Sequence, residues 1–314
     1  MKKSIYIMLF LLIVLSLGAC KKNEQEVSDT EPINNEENKD EKFPITFTDD
    51  SGVEITIESL PEKIASGAPA NTEIIYALGK ENLLVGVTSY CNYPKEVSEK
   101  EVTGDYNGPN IEKIIELGVD LFITDWIDDG VRAQLKEAGV ETIVIAPSTY
   151  EAIYEKIELI GKILDANDEA SKLVTNMKDK TEFILSRVEG LESKRVFFEN
   201  WHDPLSSVGP GSFIDEMITM SGGENIASDL KSSYGEFSEE LVLERDPEVY
   251  LTVDDGFKTV EDIKARTGYS ELTAVKNERI YFLDPDITIR PGPRIVQALE
   301  NIARAIHPEE FQDK

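Results

Sequence analysis

Trp201, His202 and Asp203 stand side by side in "VFFENWHDPLSSVGPGSFIDEM" (residues 196–217). A His–Asp pair can exchange protons, and an imidazole can ligate a metal or a haem iron. Either chemistry needs more groups than this chain brings together. His202 and His307 are the only histidines, His307 sits in "HPEE", and Pro204 follows the pair directly. No nucleophile motif or phosphate-binding loop is recognisable. A dedicated zinc or manganese receptor would gather three or four histidine and carboxylate ligands. Catalysis and metal capture are therefore minor readings, and no catalytic or metal-binding residue is assigned. The main ones are a pocket wall or an ordinary loop between a strand and a helix.

Cys20 and Cys91 are the only cysteines. Lys2 and Lys3 precede "IYIMLFLLIVLSL" (Ile5 to Leu17), and Leu17-Gly18-Ala19-Cys20 follows. The apolar run is short for a membrane span, which needs about 20 residues, and fits a signal-peptide core. Its end resembles a bacterial lipobox, in which the cysteine thiol takes a diacylglyceryl thioether. The alternative is a short core helix ending in Cys. The expectation is a signal peptide over 1–19 and a chain anchored through Cys20 to the outer face of the plasma membrane. Cys91 then stands alone as a packed small side chain, with no disulfide and no cysteine-based metal cluster. A net charge of −29 argues against nucleic acid, because phosphate contacts need clustered Lys and Arg. The same charge repels anionic ligands at long range, although one local basic residue could still bind a carboxylate.

The elements that must position these residues follow from patterning. Residues 20–42 are nearly all charged or amide-bearing and read as a disordered tether. "ITFTDDSGVEITI" alternates around Asp50-Ser51-Gly52 as a β-hairpin. Strand and helix then alternate over residues 43–148, with a turn through Pro69 and a helix capped near Asn71 or Thr72. A helical segment spans 149–191, and its second piece of about 22 residues would be roughly 33 Å long. Alternation resumes over 192–314. This predicts two α/β lobes with mostly parallel sheets, joined by one long linking helix, with a ligand cleft between the lobes.

Several segments together resemble the cobalamin and iron-siderophore class of ABC-transporter substrate-binding proteins. They are "APANTEIIYALG", "GVTSYCNYP", "NIEKIIELGVDLFI", "SGGENIASD", "LERDPEVYL" and "RPGPRIVQALENIARAIHPE". Within that class "SYCNYP" and "FFENWHDP" are most similar to cobalamin-binding proteins. The resemblance implies a monomeric, non-enzymatic lipoprotein with no cofactor, which carries cobalamin or a related corrinoid to a permease and its ATPase subunits. It also implies a ligand site formed by Pro69, Ala70, Asn71, Tyr90, Asp105, Tyr106, Trp126, Trp201, His202, Asp286 and Arg290. Where the family has a tryptophan before "NIEKI", this chain has Tyr106. An acid on each lobe would dock on permease arginines: Glu112 on the first, and Glu216 on the second, where Thr219 competes for the position. Acids in a helix's first turn also stabilise the macrodipole with no partner. An anionic siderophore or haem, the latter with His202 or Tyr90 as axial ligand, remains the alternative. Arg290 could instead bridge Asp286, and Trp126, Trp201 and Tyr90 could be core residues.

Overall fold

The computed structural model describes residues 42–312. Cys20, the signal peptide and nearly all of the expected tether lie outside the described residues. Strands β1 (Ile45–Thr48) and β2 (Glu54–Ile57) form the expected antiparallel hairpin. The buried Asp49 ties it to the first lobe, accepting two hydrogen bonds from Arg132 and one from the Val144 amide, each 3.0 Å.

The first lobe continues with β3 (Ile64–Ser66), α1 (Pro69–Ala77), β4 (Leu84–Thr88), β5 (Glu101–Asp105) and β6 (Gly108–Pro109). Helix α2 (Ile111–Glu116), β7 (Leu121–Thr124), α3 (Asp129–Glu137) and β8 (Glu141–Val144) complete it. Its sheet has the order β6-β5-β4-β3-β7-β8 and is parallel apart from the β5–β6 hairpin. Helix α1 begins at Pro69, earlier than a cap at Asn71 or Thr72 would place it. The ring of proline fixes φ for a first helical turn and its missing N–H is no loss there.

Helices α4 (Tyr150–Ile163) and α5 (Asn167–Val188) follow, the second with the expected 22 residues. They cross closely at Gly161, where a Cβ would lie only 2.4 Å from that of Ala170. The Tyr150 and Tyr154 hydroxyls each meet Thr181 Oγ1 at 3.0 Å, which satisfies all three polar groups inside this contact.

The second lobe holds β9 (Lys194–His202), β10 (Leu205–Val208), α6 (Phe213–Met220), β11 (Gly223–Asn225) and β12 (Tyr234–Glu236). Then come α7 (Glu239–Arg245), β13 (Val249–Val253), α8 (Val260–Lys264), α9 (Thr273–Lys276), β14 (Ile280–Leu283), α10 (Pro285–Thr288) and α11 (Ile295–Ile306). The sheet order is β12-β10-β9-β13-β14, with β11 also on β9. Trp201 and His202 lie in β9 itself, which turns back through Asp203-Pro204 into antiparallel β10. They are strand-end residues of a hairpin, whereas the sequence pattern had suggested a loop running to the next helix. One hydrophobic cluster runs without interruption from β1–β2 through α1, α4 and α5 to β9 and α11. Both sheets are thus packed into a single body.

Candidate ligand-binding site

In the first lobe a pocket of about 160 Å³ opens at the C-terminal ends of β3, β4, β5 and β7. The order of the sheet reverses around β3, which is where open α/β sheets leave a crevice for ligands. Gly67 forms part of its wall: a Cβ there would come within 2.6 Å of Thr124 Oγ1 and 2.7 Å of Phe122. Tyr90, Asp105, Tyr106 and Trp126, all expected from the sequence, line this pocket together with Asp125. The Tyr90 and Tyr106 rings stack with centroids 4.4 Å apart. Burial, reinforced by Asp125, pushes the Tyr90 phenol above its ordinary value and keeps it a neutral donor. Desolvation by the pocket wall likewise pushes the Asp125 carboxyl up. Tyr106 is 87% exposed and Trp126 72% exposed, so neither is a core residue.

In the second lobe Trp201 is 42% exposed, and its indole N–H donates to the Asp203 carbonyl at 2.9 Å. The His202 ring lies 4.7 Å from the indole, and its buried Nδ1 has no hydrogen-bond partner among the described residues. Phe257, 74% exposed in the turn after β13, packs edge-on to Trp201 at 6.2 Å. It was not among the residues expected from sequence, although a phenylalanine inside the turn-like "DDGFK" is a signal that could have been read.

Of the remaining expected residues, Asp286 and Arg290 lie on the seam between the lobes. Arg290 reaches Asp286 at 2.5 Å, Asn92 Oδ1 at 2.7 Å and the Tyr90 carbonyl at 3.4 Å. Asn92 also donates to Asp286 at 2.6 Å. Alongside, Arg294 grips buried Glu73 of α1 with two bonds of 2.8 and 2.6 Å and covers the Tyr93 ring at 4.2 Å. A Cβ added at Gly292 would lie 3.4 Å from the Ala70 carbonyl, and Asn71 turns inward, its amide 3.5 Å from the Ile145 carbonyl. Pro69 is half-buried. These contacts join the C-terminal edges of the two sheets. They also leave the seam's two guanidiniums matched by two carboxylates.

Of the two docking candidates, Glu112 is exposed in the first turn of α2, whose N-terminus Asn110 caps. Glu216 is half-buried, and its carboxylate accepts the Tyr150 amide at the start of α4 at 2.5 Å. Thr219 is exposed. Among the described residues no group of three or more His, Cys, Asp or Glu could hold a metal.

A two-lobed α/β body with a crevice at the strand ends is an arrangement that can receive a solute. The periplasmic binding protein family model matches residues 64–287, and the chain belongs to that family, whose members bind solutes and are not enzymes. An uncharacterised ABC transporter substrate-binding lipoprotein of Bacillus subtilis is 36% identical over 88% of this chain and 89% of its own length. The crystal structure of a periplasmic vitamin B12 binding protein from Vibrio cholerae superposes with a TM-score of 0.70, at 27% identity over 81% of this chain and 99% of that one. The structure of a periplasmic haem-binding protein from Roseiflexus superposes with a TM-score of 0.72, at 26% identity over 79% and 99%.

Proposed function

We propose that the chain is the extracytoplasmic solute-binding lipoprotein of an ABC importer, anchored through Cys20, which captures cobalamin or a related corrinoid and delivers it to the permease. The observation that carries this reading is the exposure of four aromatic side chains, Tyr106, Trp126, Trp201 and Phe257, at strand ends of the two lobes. A corrin ring is a wide, largely apolar disc fringed with amides. Aromatic faces offer it contact area at little entropic cost, and neutral hydroxyls such as that of Tyr90 can meet the fringe.

The charge balance of the seam favours the same ligand. Arg290 and Arg294 are engaged by Asp286 and Glu73, so neither is available as an uncommitted cation for an anionic iron-siderophore. Haem is the second reading, favoured by His202 beside Trp201 and by the haem-binding relative. Glu112 is the better placed docking acid, since it is exposed whereas Glu216 is half-buried with one carboxylate oxygen already accepting the Tyr150 amide. The mechanism is capture without chemistry by a monomer, followed by docking on a permease driven by ATPase subunits. The test is the visible absorption spectrum of protein purified from cells fed cobalamin, haemin or a ferric siderophore. A corrinoid spectrum is expected; a Soret band or a siderophore charge-transfer band would replace this reading.

A further inference from the structure

The turn that carries Phe257 is held from below by an unusual side chain. Lys258 is buried, its ammonium 2.8 Å from Asp255 and 3.6 Å from Glu199. Glu199 is fully buried in β9, two residues before Trp201. It is also gripped by Arg266 with bonds of 2.6 and 3.1 Å and accepts the Tyr250 hydroxyl. Asp255 in turn accepts the Phe257 amide at 2.9 Å, closing the turn over Gly256, whose φ is 73°. Burial acts to raise the Asp255 carboxyl, but the Lys258 and Phe257 hydrogen bonds bring it below its ordinary value.

Burying a lysine carries a desolvation penalty that only close, hydrogen-bonded counter-charges offset. Here two carboxylates face two cations, and the cluster joins the β13 turn to the strand that carries Trp201. An exposed phenylalanine on a turn gains little stability from its own burial, so the rigidity spent beneath it serves its position. We propose that Lys258 is a positioning residue, which locks the turn after β13 onto β9 and thereby holds Phe257 against Trp201 as a preformed apolar wall of the ligand site. This rests on the lobe-facing aromatics forming the ligand site, as proposed above. A wall ordered before the ligand arrives removes an ordering cost from binding.

The first test needs no ligand. The chain has two tryptophans, so Trp126→Phe leaves Trp201 as the only indole reporter. In that background Lys258→Met should raise acrylamide quenching of Trp201 about twofold, because the loosened turn uncovers the indole. Asp255→Asn keeps an acceptor for the Phe257 amide and weakens only the lysine's partner; it should shift quenching in the same direction by less, and it serves if Lys258→Met fails to fold. The second test uses cyanocobalamin. Phe257→Ala and Lys258→Met should each weaken binding about tenfold, and the double variant should also lose about tenfold rather than a hundredfold, as residues acting through one contact do. Unchanged quenching in both lysine-cluster variants, or additive losses in the double variant, would overturn the proposal. If the unmutated protein fails to bind cyanocobalamin, the ligand reading falls, and the quenching result alone decides the role of Lys258.

Discussion

Trp126 and Trp201 leave most or much of their indoles in solvent, the first lying two residues past the end of β7 and the second at the end of β9. Exposure of large aromatic surface is stabilising only when something covers it, and truncating such an anchor removes contact area from the bound state alone. Trp126→Ala and Trp201→Ala are each expected to weaken cobalamin binding by more than about tenfold while the melting temperature stays within a few degrees. Isothermal titration beside a thermal melt separates the two effects; a large fall in melting temperature with unchanged affinity would return these residues to a structural role. Arg290 was expected from the resemblance as a ligand contact, with a bridge to Asp286 as the alternative; its guanidinium meets Asp286, Asn92 Oδ1 and the Tyr90 carbonyl. Asp286 is four residues away and legible locally, whereas Asn92 and Tyr90 are 198 and 200 residues away and nothing in "ITIRPGPR" announces them.

At the scale of elements, the seam between α1 and the start of α11 concentrates the inter-lobe polar contacts. Glu73 is buried beneath Arg294, so Arg294→Ala would strand a carboxylate with its main charge partner gone. That is expected to destabilise the protein by about 3 kcal/mol in chemical denaturation, whereas a loss within 0.5 kcal/mol would show that water replaces the pair. The hairpin β1–β2 depends similarly on Asp49. Burial raises that carboxyl, but Ser51, the Val144 and Val53 amides and Arg132 outweigh it and hold it below its ordinary 3.8. A folded value below the unfolded one stabilises above the unfolded value and is lost as pH falls through the folded one. Unfolding midpoints should therefore decline below about pH 4, less steeply in Asp49→Asn, and parallel profiles would remove Asp49 from this role.

The same elements show what sequence patterning could and could not reveal. The 22-residue α5 was legible because Ala170, Val174, Met177, Ile184 and Val188 repeat at helical spacing and are all buried. The strands β3, β4, β7, β8, β9 and β13 were legible as short apolar runs between turns. Strands β5, β10 and β12 were not, since "EVTGD", "LSSV" and "YGE" are polar or small and pair at or near sheet edges. The aromatic residues of the first-lobe pocket followed from resemblance and position. The turn-like "DDGFK" carried a local signal for Phe257, whereas the cluster of Glu199, Lys258 and Arg266 carried none, because its meaning depends on packing that local pattern does not encode.

At the scale of the molecule, one continuous core passes through α4 and α5 into both sheets. Interiors so packed do not bend smoothly, and among the described residues the lobes are linked through α4 and α5 and by no strand pair. Ligand binding should therefore change the radius of gyration in X-ray scattering by less than about 1 Å; a contraction of several ångströms would require the seam to open and close. The central claim, a preformed aromatic site for a corrinoid, is tested most directly by titrating cyanocobalamin into the unmutated protein in a calorimeter. The account predicts saturable one-to-one binding at micromolar or tighter affinity, corresponding to about −8 kcal/mol or better. No heat of binding for cyanocobalamin, with saturable binding of haemin or a ferric siderophore in its place, would contradict it.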